Sequence, residues 1–319
     1  MTRSRSAPGN QTLRWLLLLL LLGVAALLSL SIGPTGFSLS NASVLANLRL
    51  PRLLLGVAAG GVLAFSGTAL QGLLGNPLVD PYTLGVANGA ALGTTLGVVL
   101  GNPAGISTPL LAIAGAMVTL LAVYAIAQTG GKVTKTGLVL SGVIVGFFLS
   151  GLVMLLMVFA RRPLDQTIYL LMGNLDIVLT PTRLWLLIAS GVAVLGALAW
   201  LYGFARSLNI MATNEEVAET LGVNTQSTTR TVFALSSLLV GISVAFTGVI
   251  SFVGLVVPHL ARLIFGPDHA RTMPAAFLLG ACLLLLADIL ARLTTPVLPL
   301  SVVTAFLGVP FFIYLFRTR

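Results

Sequence analysis

The stretch QGLLGNPLVDPYTLGVANGA, residues 71–90, sets two prolines, two asparagines and an aspartate where a membrane helix would otherwise continue. Strongly apolar runs flank it on both sides. Proline lacks a backbone N–H and clashes with the preceding helical turn, so Pro77 and Pro81 stop one helix and let another begin. Asn76 and Asn88 bring side-chain amides to the backbone groups that the break frees. In a bilayer such a break is tolerated only where it is buried in protein or lines a cavity.

The rest of the chain supplies that bilayer. Of 319 residues 57% are hydrophobic and 8% charged, and the mean hydropathy is +1.06, far from soluble globular norms. With about 20 apolar residues needed per crossing, ten spans are expected: 13–32, 53–72, 84–101, 107–128, 137–160, 183–204, 230–250, 252–265, 274–294 and 301–316. The eighth is the shortest and is interrupted by Pro258, His259 and Arg262. The polar gaps are short, so the fold class is all-α, one polytopic membrane domain over residues 1–319 with no soluble domain.

The first span has the basic lead and leucine core of a secretory signal but no A-x-A cleavage site, and is read as an uncleaved helix. With the N-terminus set inside, only Arg49, Arg52, Arg161, Arg162, Arg183 and Arg292 fall outside, against 11 of the 17 Lys and Arg inside. That excess places both termini in the cytoplasm. The +9 charge is scattered at helix ends, with no basic run interleaved with aromatics, so nucleic acid is not an expected partner. Cys282, the single cysteine, falls inside a span and is expected to pack.

AFSG at 64–67 is followed by Pro77, and AFTG at 245–248 by Pro258, each proline thirteen positions after the motif's first alanine. The two segments run in opposite directions through the membrane. This fits an inverted repeat of helices 2–5 and 7–10, an architecture of transporters; chance in an Ala- and Gly-rich chain is the other reading.

Ionisable groups within spans are where ion-driven carriers hold their coupling cation, and only Asp288 of the eight acids qualifies. It stands one helical turn before Arg292, which makes a neutralising ion pair one reading and a proton relay the other. His259 and His269 have no metal-ligand spacing and are expected to cap or pack; no metal site is expected. Gly131-Lys132 lacks the rest of a P-loop, so the chain has no ATP site of its own and is not an enzyme. Residues 207–229 are the most polar interior stretch. There Thr213 or Asn214 caps a short helix led by Glu215 and Glu216 and ended by Gly222, a shape suited to docking a partner or to a capped loop.

RLPRLLLGVAAGGVLAFSG, GNPLVDPYTLGVANGA, AETLGVN, GVISFVGLVVPHLARLIFGPDH, LLLLADILAR and LPLSVVTAFLGVPFFIYL resemble, in order and spacing, the FecCD-type permeases of bacterial ABC importers. The likeness covers roughly residues 45–319. It implies a homodimer with the pathway between two copies, two ATP-binding cassette subunits inside that hold ATP and Mg, and an extracytoplasmic substrate-binding protein. The implied location is the bacterial or archaeal inner membrane. The implied cargo is a metal chelate, a ferric siderophore first and haem or cobalamin next; Asp80 and Tyr82 of VDPYTLG carry that lean. By the same resemblance Asn76, Pro77 and Leu78 form the cytoplasmic gate, with Lys135 and Thr136 as its other element. Ala218, Leu221 and Gly222 contact the ATPase. Arg49, Arg52 and Arg292 dock the binding protein, and Gly173 and Asn174 narrow the outer mouth. The alternative is a proton-coupled carrier that uses Asp288.

Overall fold

An apolar run wound as an α-helix satisfies its own backbone hydrogen bonds, so in lipid it needs nothing from solvent. In the computed structural model, which describes residues 8–33, 36–37, 42–100, 107–130, 132–159, 171–176 and 181–317, every expected span is such a helix. They are α1 (Pro8–Ser31), α2 (Leu50–Leu74, entered through a π-helical turn at Leu45–Arg49), α3 (Val86–Val99), α4 (Ser107–Ala127), α5 (Lys135–Phe159) and α6 (Pro181–Tyr202). Two short helices follow, α7 (Ala205–Met211) and α8 (Glu215–Thr220). Then come α9 (Thr225–Thr247), α10 (Val253–Phe265), α11 (His269–Arg292) and α12 (Leu300–Arg317). Among the described residues seven helices are long and apolar enough to cross a membrane, and Val86–Val99, Val253–Phe265 and Leu300–Tyr314 are shorter apolar helices. Strand pairing there is limited to two-residue ladders at 32–37 and 128–133.

Two quartets of helices share one length pattern. The first, α2 to α5, has 25, 14, 21 and 25 residues; the second, α9 to α12, has 23, 13, 24 and 18. In each, the short second helix starts from a residue with positive φ, Gly85 at 77° and Phe252 at 68°. In each, a glycine of the fourth helix lies against that start: a Cβ on Gly142 would meet Leu84 at 2.8 Å, and one on Gly308 would meet Phe252 at 2.8 Å. The matching positions differ from those the sequence suggested. AFSG lies mid-helix in α2, whereas AFTG runs off the C-terminal end of α9, and Pro258 sits inside α10 while Pro77 lies in the break. The echo of four residues is therefore not the structural correspondence; the paired helix breaks are.

Helices in lipid gain no hydrophobic drive from each other, so close backbone approach through small residues takes its place. Gly60 of α2 and Gly280 of α11 face each other so closely that a Cβ on either would overlap the other's carbonyl oxygen, and Gly89 of α3 and Gly115 of α4 do the same. Around these contacts Leu63, Leu70, Phe233, Leu239 and Met273 are fully enclosed. α1 and α6 stand at the rim, with Leu20, Leu27, Trp185 and Val192 turned outward.

Candidate functional site

Three features expected from the sequence lie at the two ends of this bundle, and the helix directions place them. α2 runs from Arg52 down to Gly75, and α11 runs back up to Arg292 beside Arg52.

At the lower end, α2 stops at Gly75 in the left-handed region with φ 63°, two residues before Pro77. The stop is thus a glycine C-cap, a correction to the proline stop expected. Asn76 Oδ1 accepts the Leu78 N–H at 2.9 Å as foreseen, and Asn76, Pro77 and Leu78 are all exposed. Asn88 acts elsewhere: its Nδ2 donates to the Gly146 carbonyl of α5 at 3.0 Å. The residue that organises the break is Gln71, which the sequence reading passed over. Its Nε2 donates to the carbonyls of Val79 at 3.1 Å and of Gly254 and Leu255 at 3.3 Å, and its Oε1 accepts from Arg262. One buried amide thereby joins the break after α2 to the first turn of α10.

Asp80 and Tyr82 complete that clasp. Asp80 caps the Pro81–Leu84 turn by accepting the Tyr82 N–H at 3.1 Å. Burial pushes its carboxyl up to about 6, against backbone N–H groups of Tyr82 and Phe252 that favour the charged form. The Tyr82 hydroxyl accepts the Ile250 N–H at 3.0 Å. These two residues hold the second break. Tyr82→Phe leaves the Ile250 N–H unsatisfied and is expected to cost about 1–3 kcal/mol, read as a lowered melting temperature in detergent.

α8 lies at the same end. Asn214 caps it, its Oδ1 accepting the Glu216 N–H at 2.8 Å, and Gly222 leaves it at φ 82°. Leu221 is 65% exposed and Val217 also faces out. Ala218 does not: it is 0% exposed, packed in the core with its carbonyl taken by Val223 N–H at 2.9 Å. Ala218 is thus an inward-facing anchor of the helix, and Val217 and Leu221 make up its outward face. Lys135, at the start of α5, pairs with Glu215 of α8 at 3.2 Å, and Thr136 beside it is exposed.

At the upper end the arginines are bound inward. Arg52 donates to Asp288 from Nε at 3.0 Å and from Nη2 at 2.8 Å, and pairs with Asp176 through Nη1. Arg292 meets Asp288 at 3.0 Å and donates to the Ile32 carbonyl at 2.8 Å. Arg49 donates to the Leu30 carbonyl at 2.5 Å. The cluster therefore ties the open carbonyls at the end of α1 to α2 and α11. Asp288 is 0% and the Arg292 side chain 3% exposed, so Arg292 is enclosed where an outward-facing cation was expected. Of the ion-pair and relay readings of Asp288, the pair is what is found. Arg49 and Arg52 remain partly exposed.

Gly173, at φ 82°, and Asn174 sit in a strap rather than at an open edge. Asn174 N–H donates to the Thr247 carbonyl at 2.8 Å and Gly173 accepts from Leu300 N–H at 2.9 Å, which satisfies backbone at the end of α9 and the start of α12. Residues 160–170 and 177–180, the rest of the expected outer element, lie outside the described residues. His259 packs edge-on against Phe311, His269 binds Asn209 through its N–H at 2.9 Å, and Cys282 is buried and free.

Known proteins are similar to this chain in sequence and in fold. A model of the FecCD transport family matches residues 15–318. The cobalamin import system permease protein BtuC of Halobacterium salinarum is 39% identical over 278 residues, covering 86% of this chain and 74% of its own. The hemin transport system permease protein HmuU of Yersinia pestis is 40% identical over 283 residues, covering 84% and 81%. A solved structure described as an inward-facing conformation of a metal-chelate type ABC transporter superposes with a TM-score of 0.84 at 32% identity, covering 95% of this chain and 98% of that one. With the break, the exposed capped helix and the bundle of apolar helices in the same chain, the conclusion is that this protein belongs to the FecCD transport family.

Proposed function

We propose that the chain is the membrane permease of an ATP-driven importer that works as a homodimer and passes a metal-centred chelate inward by alternating access. The observation that carries this reading is α8. A six-residue helix, capped at both ends, offers Val217 and Leu221 to solvent at the end where the chain is also broken after α2. Apolar side chains on a capped, rigid peg suit a cleft on a soluble motor, and the chain carries no P-loop of its own. A metal-bearing tetrapyrrole comes ahead of the ferric siderophore as cargo in this reading, which the names of the relatives for cobalamin and for hemin support.

In this reading two ATPase subunits bind the cytoplasmic face and hold ATP and Mg, and both termini lie on that face. Asn76–Leu78 and the start of α5 meet their symmetry mates as the inner gate. The pathway runs along α12, where Phe306, Val309 and Pro310 line an open apolar groove of about 480 Å³. A binding protein docks at the upper end near Arg49 and Arg52, where an acidic partner gains on-rate and register.

The test is uptake into proteoliposomes that hold this chain with its ATPase and binding protein, with labelled cobalamin, haem and ferric siderophore offered in turn. ATP-dependent entry of one cargo is the expected result. Entry driven by a proton gradient without ATP would overturn the reading. Leu221→Asp, which puts a charge on the docking face without touching the core, is expected to lower ATP-driven uptake at least about tenfold, the effect of losing a central interface anchor. Melting should stay within about 0.5 kcal/mol of the parent, as for surface substitutions.

A further inference from the structure

The α4–α5 turn is held from two sides by the corner that joins α8 to α9. Gln226, in the first turn of α9, pairs with both polar groups of Val133: its Oε1 accepts the Val133 N–H at 3.2 Å and its Nε2 donates to the Val133 carbonyl at 3.3 Å. Two residues on, Lys135 meets Glu215 at 3.2 Å. One turn further along α9, Arg230 lies over the Tyr124 ring of α4 at 5.9 Å. The corner itself is stiff, since Val223 N–H closes on the Ala218 carbonyl at 2.9 Å, Thr225 Oγ1 donates to Glu219 at 2.7 Å, and Asn224 caps α9 through Ser227 N–H at 2.9 Å. α5 starts equally firmly, with Thr134 Oγ1 accepting the Gly137 N–H at 3.0 Å and its carbonyl accepting the Leu138 N–H at 3.0 Å. Two rigid pieces joined by three contacts in a row move as one.

We propose that Lys135 and Glu215, with the Gln226–Val133 amide pair beside them, form the strut that carries displacement of α8 into the first turn of α5. The pair consists of positioning residues: they touch no cargo, and they convert a push on Val217 and Leu221 into movement of the helix start that bears Thr136. This rests on the reading of α8 as the ATPase contact and of the α5 start as a gate element. A half-exposed ion pair adds little to folding, so its loss is read in coupling and not in stability.

The experiment reverses each charge, K135E and E215K, and then both together, in the reconstituted complex. Each single reversal is expected to lower cargo moved per ATP hydrolysed about fivefold or more, the lower end of measured couplings between sites. ATPase-subunit binding and melting should hold, and the double reversal should recover at least about half the parent ratio. Unchanged coupling in the singles, or no recovery in the double, overturns the strut. A second readout needs no transport: nitroxides on L140C and V217C of the chain in nanodiscs report the spacing of α5 and α8. The distribution should be narrow in the parent and the double reversal and broad in the singles; equal widths throughout overturn the proposal. If the parent complex moves no cargo, the proposed function fails while this second readout still decides the strut.

Discussion

Asp288→Asn is expected to lower the melting temperature in detergent by on the order of 10 °C, because breaking a buried ion pair costs about 3–5 kcal/mol. The carboxylate sits at 0% exposure between Arg52 and Arg292, and Arg292 at 3% has no route to water. Neutralising the aspartate leaves a guanidinium enclosed beside α1 with only carbonyl and hydroxyl partners. The companion D288L/R292M removes both members of the pair, and should recover much of the loss, since an apolar replacement of a buried pair is often neutral. Arg52 keeps Asp176 in that variant. A proton-coupled carrier demands the reverse pattern, with Asp288→Asn melting normally and gradient-driven uptake abolished. Normal melting of the single variant would sink the structural account of this cluster.

Gly60→Val is the second large effect. A Cβ there overlaps the Gly280 carbonyl oxygen and comes within 2.8 Å of Leu284 Cβ. A backbone carbonyl in a helix has no rotamer to escape into, so α2 and α11 must separate along the contact that holds both. Overpacking of this kind costs about 1–3 kcal/mol and occasionally more, and the loss of the adjacent glycine contact places this variant at the upper end. The expected readout is a collapse of the monodisperse fraction in size-exclusion chromatography. Gly196→Val is the control, since nothing lies within 4 Å of a Cβ on Gly196, and it should elute as the parent does.

Local signals proved legible wherever one segment decided its own conformation. Span positions came from apolar run length, because a helix in lipid needs only its own residues to satisfy its backbone. The Asn214 cap, the Gly222 exit and the Asn76 turn were legible for the same reason, each being a contact over two or three residues. The resemblance covered the family, whose model spans residues 15–318.

Placement was not legible where a side chain's surroundings depend on a distant partner. Ala218 looked like a close-approach contact on a docking helix, but the direction of α8 against the core turns it inward. Arg292 looked like an outward cation, yet α1 covers it. Gln71 gave no signal, as three of its four partners, Gly254, Leu255 and Arg262, lie 183 and more residues away. Glycine spacing in α2 and α3 was a signal present but unused: Gly56 and Gly60, then Gly89, Gly93 and Gly97, mark helix faces built for close packing.

The amino-acid sequence by itself determined that this is a polytopic helical membrane protein, where its apolar helices lie and break, and that a capped polar helix stands between α6 and α9. Hydropathy, proline and capping chemistry act over a few residues, so they can be read one segment at a time. Only the tertiary structure decided which break matches which, that Asp288 is held by two arginines, and that α8 is tied to α5. Those facts depend on contacts across more than 60 residues of chain, such as Lys135 to Glu215 and Arg52 to Asp288, and helix direction and packing bring such partners together.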